Sequence, residues 1–139
     1  MTNQSQQHRC YSAALKMLMR REHSQLELLK KLQLKDFDDA IINSSISLLA
    51  EQNFQSDERF SEAFILMRYN QGKGPLKIAS ELKGRGIKKF NLTTFDWFKL
   101  AKEVRIKKFG HDISLDFKDQ AKQKRFLQSR GFGFDEIKA

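Results

Sequence analysis

The side chains of this sequence that could do chemistry begin with three histidines and one cysteine. His8, His23 and His111 stand at no fixed spacing to one another or to Cys10. Zinc sites and cysteine–histidine nucleophile pairs both need such side chains in a defined arrangement. We therefore expect no metal site and no nucleophilic cysteine. A single cysteine also excludes a disulfide within the chain.

Carboxylates and glycines form two further arrangements that resemble catalytic motifs. The pairs Asp38–Asp39 and Asp57–Glu58 each begin an apolar helical pattern, where the helix dipole favours negative charge. The run Gly72–Pro75 lacks the spacing of a phosphate-binding loop, and no strand precedes it. It reads as a turn between helices, with proline at the first helical position. The sequence thus predicts neither an enzyme nor a cofactor.

Basic residues are the remaining candidates, and they are unevenly distributed. Residues 1–55 carry seven Lys/Arg and six Asp/Glu, whereas the segment from Arg68 to Arg130 carries seventeen and six, a net charge of +11. Such a surface attracts a polyanion, either nucleic acid or an acidic protein surface. For any one of these residues, a solvated surface position is an equal alternative.

The elements that position these side chains read as helices. The chain has one proline and seven glycines, and its apolar residues recur at helical spacing, which predicts an all-α fold. Ser24 with Glu27 has the pattern of a capping box. Six large apolar side chains are expected in the core: Leu26, Leu32, Phe60, Phe64, Leu76 and Leu82.

An internal repeat organises the helices. A shift of fifty residues superimposes Leu28 on Ile78 and Leu32 on Leu82, and a shift of forty-five superimposes residues 82–87 on residues 127–132. In the last pair an Arg-Gly step followed by an apolar residue predicts a left-handed glycine at the end of a helix. We expect an elongated array of three tandem three-helix repeats. Their predicted ranges are residues 8–54, 55–94 and 95–139.

Two places depart from a regular array. Only nine residues, Ile87 to Phe95, are left for the third helix of repeat two, so that helix should be very short or fused to its successor. Repeat three ends at Ala139, shortly after Phe134, and is expected to be incomplete.

Four ordered motifs resemble the bacterial RecX family of regulatory proteins. The resemblance runs from about Tyr11 to Ile137, and its most specific part is the Arg-x-x-x-Gly-x-Gly-Pro run that begins at Arg68. The four motifs are Arg20-Arg21-Glu22-His23-Ser24-x-x-Glu27-Leu28, then Asp57-Glu58-Arg59-Phe60-Ser61-Glu62-Ala63-Phe64, then Arg68-x-x-x-Gly72-x-Gly74-Pro75-x-x-Ile78-x-x-x-Leu82-x-x-x-Gly86-Ile87, and Arg125-Phe126-Leu127-x-x-Arg130-Gly131-Phe132.

The resemblance implies a modulator of the RecA recombinase with a role in DNA repair and the SOS response. Such a protein binds in the helical groove of the RecA nucleoprotein filament, contacts single- or double-stranded DNA there, and limits filament growth. It lowers the ATPase, strand-exchange and coprotease activities of RecA. The resemblance and the charge together select these candidate contact residues for RecA and DNA: Arg20, Arg21, Arg68, Lys73, Lys77, Arg85, Arg105, Lys107, Lys108, Lys124, Arg125 and Arg130.

Other interpretations remain open. Arg59, at a helix start, is predicted to pair with a carboxylate and join two helices. A sequence-specific helix-turn-helix DNA-binding protein is the main alternative, although such proteins concentrate their base contacts on one recognition helix. A scaffold that binds only protein is a third. No apolar run approaches the roughly 20 residues that span a bilayer, and the polar start is not a signal peptide, so we expect a cytoplasmic protein. We also expect it to be a monomer.

Overall fold

The computed structural model describes residues 3–138, which form eight α-helices and no β-strand. None of these helices is long and apolar enough to cross a membrane. The all-α prediction is therefore confirmed. The helices are α1 (Asn3–Arg20), α2 (Gln25–Gln33), α3 (Asp39–Glu51), α4 (Asp57–Asn70), α5 (Pro75–Gly84), α6 (Trp97–Phe109), α7 (Phe117–Ser129) and α8 (Phe134–Lys138).

The described residues divide into two compact units. The first unit runs to Ala63 and includes Lys83–Phe90, and the second unit contains Phe64–Leu82 and continues from Asn91. In the first unit α1, α2 and α3 pack around a common apolar core. Its fully buried side chains include Cys10, Ala14, Leu28, Leu32, Ile42 and Leu49.

The entry to α2 is fixed by the predicted capping box. The Glu27 N–H donates to the Ser24 hydroxyl at 3.1 Å, and the Ser24 N–H donates to the Glu27 carboxylate at 3.1 Å. Burial alone would raise the pKa of Glu27. Hydrogen bonds from Arg21 and from the Ser24 N–H, with the positive charge of Arg21, outweigh that effect and lower the pKa.

His23, directly before this cap, is 2% exposed and held in one neutral form. Its Nδ1 lies 3.0 Å from the Arg21 carbonyl oxygen, which can only accept, so Nδ1 carries the proton. Its Nε2 lies 2.9 Å from the Lys31 ammonium, which can only donate, so Nε2 accepts. Burial, aided by the charges of Arg21 and Lys31, lowers the pKa of His23.

Arg59 has the structural role that the sequence predicted. Its Nε donates to the Glu22 carboxylate at 2.8 Å, and its NH2 donates to the Asn53 carbonyl at 2.8 Å. Glu22 lies between α1 and α2, and Asn53 follows α3. The first turn of α4 is thereby tied to both connections of the first repeat.

The second repeat differs from the expectation of a short or fused third helix. The described backbone between Gly84 and Trp97 contains no helix. At the end of this segment, in the second unit, lies an aromatic cluster: the Tyr69 and Phe95 rings lie 4.5 Å apart, and both lie within 5.6 Å of the Trp97 ring. The Trp97 Nε1–H also donates to the Leu92 carbonyl at 2.7 Å, which fixes the irregular segment.

The predicted core is correct at four of its six positions. Leu32, Phe60, Phe64 and Leu82 are buried, Leu26 is half-buried, and Leu76 is 61% exposed. Leu76 lies in the first turn of α5, where its backbone N–H donates to the Gly131 carbonyl oxygen while most of its side chain stays in solvent. The prediction that its side chain is buried is therefore wrong.

Candidate nucleic-acid interface

Two turns of the second unit are joined by their backbones. The Gly74 N–H, between α4 and α5, donates to the Arg130 carbonyl at 2.7 Å, and the Leu76 N–H donates to the Gly131 carbonyl at 2.9 Å. A Cβ on Gly74 would lie 2.5 Å from the Gly131 oxygen and 2.6 Å from the Phe132 nitrogen. Only glycine therefore permits this approach, which brings the side chains that flank Gly74 towards Arg130.

The Arg-Gly steps end their helices as predicted. Gly86 and Gly131 have φ values of +80° and +100°, and the apolar residues that follow them are 4% and 2% exposed. In the first unit Gly86 lies against the first turn of α2, where a Cβ would be 2.9 Å from the Leu26 Cβ. In the second unit Gly131 lies in the same way against Lys77, in the first turn of α5. The same approach of a left-handed glycine to the first turn of a helix thus occurs once in each unit.

A cleft of about 500 Å³ lies beside the joint of the second unit. We call it the basic cleft and define it by its lining residues. Its cations come from α6 and from the end of α7, while the end of α4 supplies amide groups. The lining residues are Asn70, Gln71, Gly72, Leu100, Glu103, Val104, Lys107, Lys108, Phe126 and Arg130.

Phe126 holds two of these cations in place. The Lys108 ammonium lies 5.5 Å from the centre of its ring, and the Arg130 guanidinium lies 4.9 Å from it. The Phe109 ring packs edge-on against Phe126 with centroids 5.4 Å apart. Cations at these distances are attracted by the negative face of an aromatic ring. Lys108 and Arg130 are therefore preorganised in the wall of the cleft.

Lys73 lies near several other cations, including Arg130. Burial first, and then the charges of Arg130, Arg68 and Lys77, lower the pKa of Lys73, and Glu81 only partly opposes them. Like charges repel unless an anion binds among them. The Gly-Lys-Gly-Pro turn thus contributes a lysine that a bound phosphate would stabilise in its charged form.

Arg68 is engaged within the protein. Its Nε and NH2 donate to the two Glu81 carboxylate oxygens at 3.0 and 2.8 Å, and its NH1 donates to the Gln71 side chain at 2.6 Å. Such a two-bond pair fixes orientation as well as charge. Arg68 thereby holds the end of α4 against α5.

In the first unit the predicted cations lie in two places. Arg21 forms two bonds of 3.1 Å with Glu27, and the Arg85 Nε lies 3.7 Å from the same carboxylate. Arg20 is exposed at the end of α1. It lines a separate groove of about 470 Å³ whose walls also include Arg9, Lys16 and Lys35.

This groove, which we call the α1 groove after the helix that supplies Arg9, Lys16 and Arg20, was not predicted from the sequence. The near-neutral total of the first fifty-five residues conceals a helix that contains no acidic residue. Arg9, Lys16 and Arg20 are spaced by seven and four residues, which places them on one helix face. That spacing was the available signal.

The other predicted residues stand apart from the basic cleft. Lys124 and Arg125 are exposed on α7, and Arg105 is half-buried on α6, outside the residues that line it. Of the twelve candidates, Lys107, Lys108 and Arg130 line the cleft. Arg130 also lies close enough to Lys73 to lower its pKa, as do Arg68 and Lys77.

The fold and the joints define the class as an all-helical protein built from tandem helical repeats. Models of the first, second and third three-helix domains of RecX match residues 10–47, 56–91 and 96–139. The chain is 35% identical over 133 residues to the regulatory protein RecX of Halorhodospira halophila, covering 91% of this chain and 83% of that protein. It is 37% identical over 130 residues to RecX of Acinetobacter baylyi, covering 91% and 82%.

Solved structures agree in fold. The crystal structure of RecX from Lactobacillus salivarius superimposes with a TM-score of 0.80 at 23% identity, covering 96% of this chain and 93% of that one. A second crystal structure of a regulatory protein RecX gives a TM-score of 0.83 at 22% identity, covering 96% and 71%. The chain belongs to the RecX family of regulatory proteins.

Proposed function

We propose that this chain regulates the RecA recombinase by binding to the RecA nucleoprotein filament and lowering its ATPase, strand-exchange and coprotease activities. The family of regulatory proteins to which the chain belongs supports the proposal at the level of RecA regulation. The basic cleft of the second unit carries the finer part, because it gathers fixed cations that suit a phosphate backbone inside a filament. This activity would act in DNA repair and the SOS response in the cytoplasm.

The cleft favours phosphate over base recognition. Lys107, Lys108 and Arg130 supply charge-assisted donors, and two of them are already held against Phe126. The half-buried Phe126 ring is engaged by Phe109 and these cations, so it is a scaffold for charge and not a platform for stacking bases. Contacts of this type position a protein on nucleic acid without reading sequence.

The regulator acts by binding and not by catalysis. The carboxylates with a catalytic appearance have local structural roles: the Asp57 carboxylate accepts from the Gln25 N–H and the Gln55 side chain, both at 2.9 Å. Asp38 directly precedes α3, where negative charge is favoured by the helix dipole. We assign neither pair to a reaction.

A sequence-specific helix-turn-helix protein is the alternative function. It would place its base-reading side chains near the start of one helix. Here the gathered cations lie at the end of α6, at the end of α7 and around the α4–α5 turn. This distribution favours a surface that follows a backbone.

The test compares two charge reversals of equal size on the intact chain. Lys107→Glu with Lys108→Glu changes the cleft, and Lys124→Glu with Arg125→Glu changes exposed cations of α7 outside it. Anisotropy of labelled RecA filaments on single-stranded DNA gives the affinity between about 50 and 200 mM salt. Each lost phosphate contact should flatten the slope of log affinity against log salt concentration by about 0.7. The slope of the cleft variant, which loses two contacts, should therefore be flatter by about 1.4, and that of the α7 variant should change less.

Two results would contradict this assignment. If both variants keep the wild-type affinity and slope, the basic residues only solubilise the protein, and the protein-only scaffold is correct. If the variants lose affinity equally, the general positive field matters and the cleft geometry does not.

A further inference from the structure

Three large apolar side chains stand in solvent in the connection after α6 and at the first residue of α7. Ile113 is 79% exposed, Leu115 is 94% exposed and Phe117 is 81% exposed. Isolated exposed apolar residues are ordinary, but a contiguous apolar patch on a soluble protein marks an interaction site. Three such side chains within five residues concentrate exposed apolar surface at one place in the chain, and we call residues 112–117 the apolar loop.

The apolar loop is anchored to the protein. The Gln120 side chain donates to the Ser114 carbonyl at 2.7 Å, and the Asp116 N–H donates to the Ser114 hydroxyl at 3.2 Å. The Asp116 carboxylate accepts from the Lys118 N–H at the start of α7. The three apolar side chains are therefore presented outward from a backbone that local hydrogen bonds hold.

The charge of the loop differs from that of its surroundings. Of the six acidic residues between Arg68 and Arg130, three lie within eight positions, at Asp112, Asp116 and Asp119. Carboxylates beside apolar side chains repel a phosphate backbone. They complement instead an apolar groove rimmed by lysine or arginine on a protein.

We infer that the apolar loop inserts Ile113, Leu115 and Phe117 into an apolar, basic-rimmed groove on a protein partner. The inference rests on the proposed function in one respect: the partner is a RecA subunit of the filament. The chain then has two separate contacts, the basic cleft for DNA phosphates and the apolar loop for protein.

The variant that separates the protein contact from the DNA contact carries Ile113→Ser, Leu115→Ser and Phe117→Ser in the full chain. Because few apolar anchors carry most of an interface's affinity, filament binding and ATPase inhibition should weaken by about tenfold or more. Affinity for labelled single-stranded DNA alone should stay at the wild-type value. The melting temperature should also stay unchanged, since the three side chains are exposed.

A matched control removes equally exposed apolar side chains from elsewhere: Met19→Ser, Leu34→Ser and Phe134→Ser, which are 79%, 83% and 75% exposed. This variant should inhibit like the wild type. A second variant, Asp112→Asn with Asp116→Asn, keeps a good helix cap and removes only charge. It should weaken filament binding several-fold, and the loss should shrink as salt rises.

The outcomes separate the inference from the proposed function. If the wild type binds filaments and the triple serine variant binds equally well, the inference is overturned and the proposed function stands. If the wild type does not bind filaments, the proposed function fails and the loop loses its assigned partner. If sedimentation shows a wild-type dimer that the triple variant converts to monomer with unchanged filament affinity, the loop binds a second copy and the inference is overturned.

Discussion

Replacing Gly74 by alanine should force apart the two turns that form the joint of the second unit. Gly74 is buried, and its new Cβ would meet the Gly131 carbonyl oxygen at 2.5 Å and the Phe132 nitrogen at 2.6 Å. These are backbone atoms, so no side chain can rotate to make room. The two turns must move apart, and the hydrogen bonds from Gly74 and Leu76 across the joint must lengthen.

The expected loss of stability follows from these contacts. Weakening two backbone hydrogen bonds costs about 0.5–1.5 kcal/mol each, and an added methyl in a packed region costs about 1–3 kcal/mol. We expect Gly74→Ala to lower the free energy of unfolding by about 2–6 kcal/mol. Gly133→Ala is the matched control: it lies in the same unit, and its Cβ would meet only ordinary contacts of 3.5–3.6 Å. Because Gly133 directly precedes α8, where alanine is a poorer cap than glycine, the control should cost no more than about 1 kcal/mol.

Urea unfolding monitored by tryptophan fluorescence measures this difference. Trp97 is the only tryptophan, and it belongs to the second unit, so its emission reports the unit that contains the joint. The Gly74 variant should also bind filaments more weakly, because Arg130 is positioned by the same joint. Equal unfolding midpoints for the two alanine variants would refute the close approach of the two turns.

Two further predictions concern stability. Phe64→Ala removes a side chain that is only 7% exposed, and it should lower the free energy of unfolding in urea by about 3–5 kcal/mol. Leu66→Ala, at a half-exposed position of the same helix, should cost under about 1 kcal/mol. Similar losses for the two variants would show that Phe64 is not a core residue. The pKa of His23 is lower in the folded protein than in the unfolded chain, so on acidification the unfolded chain binds the proton at a higher pH. The free energy of unfolding should therefore be highest above about pH 6.5 and should fall as the pH drops below that value. Chemical denaturation at pH 7.5 and 5.5 measures this pH dependence of stability. His23→Gln should abolish it, whereas His111→Gln, at an exposed histidine, should preserve it. A His23→Gln variant that keeps the pH dependence would contradict the role of His23.

Local backbone rules made much of the fold predictable. The capping box at Ser24 and the left-handed glycines of the Arg-Gly steps follow from residues adjacent in sequence, and all were predicted. Positions that depend on distant contacts were harder. The exposure of Leu76 and the aromatic cluster around Trp97 depend on which neighbour each segment meets, which helical periodicity does not encode.

The candidate interface was predictable in composition but not in arrangement. The charge excess beyond Arg68 is plain in the sequence, yet the pairing of Arg68 with Glu81 and the clamping of Arg130 on Phe126 require three-dimensional proximity. Counting charge over long segments also hid the basic face of α1, because acidic residues elsewhere in the first fifty-five residues cancel it.

The central claim is that this chain restrains RecA through the filament, and ATP hydrolysis tests it most directly. The measurement is the rate of single-strand-dependent ATP hydrolysis by the cognate RecA as the chain is titrated from well below the RecA concentration, with the Lys107→Glu, Lys108→Glu variant in parallel. The wild type should suppress hydrolysis at substoichiometric amounts, and the variant should need more protein, increasingly so at low salt. An unchanged hydrolysis rate at equimolar wild-type protein would contradict the account.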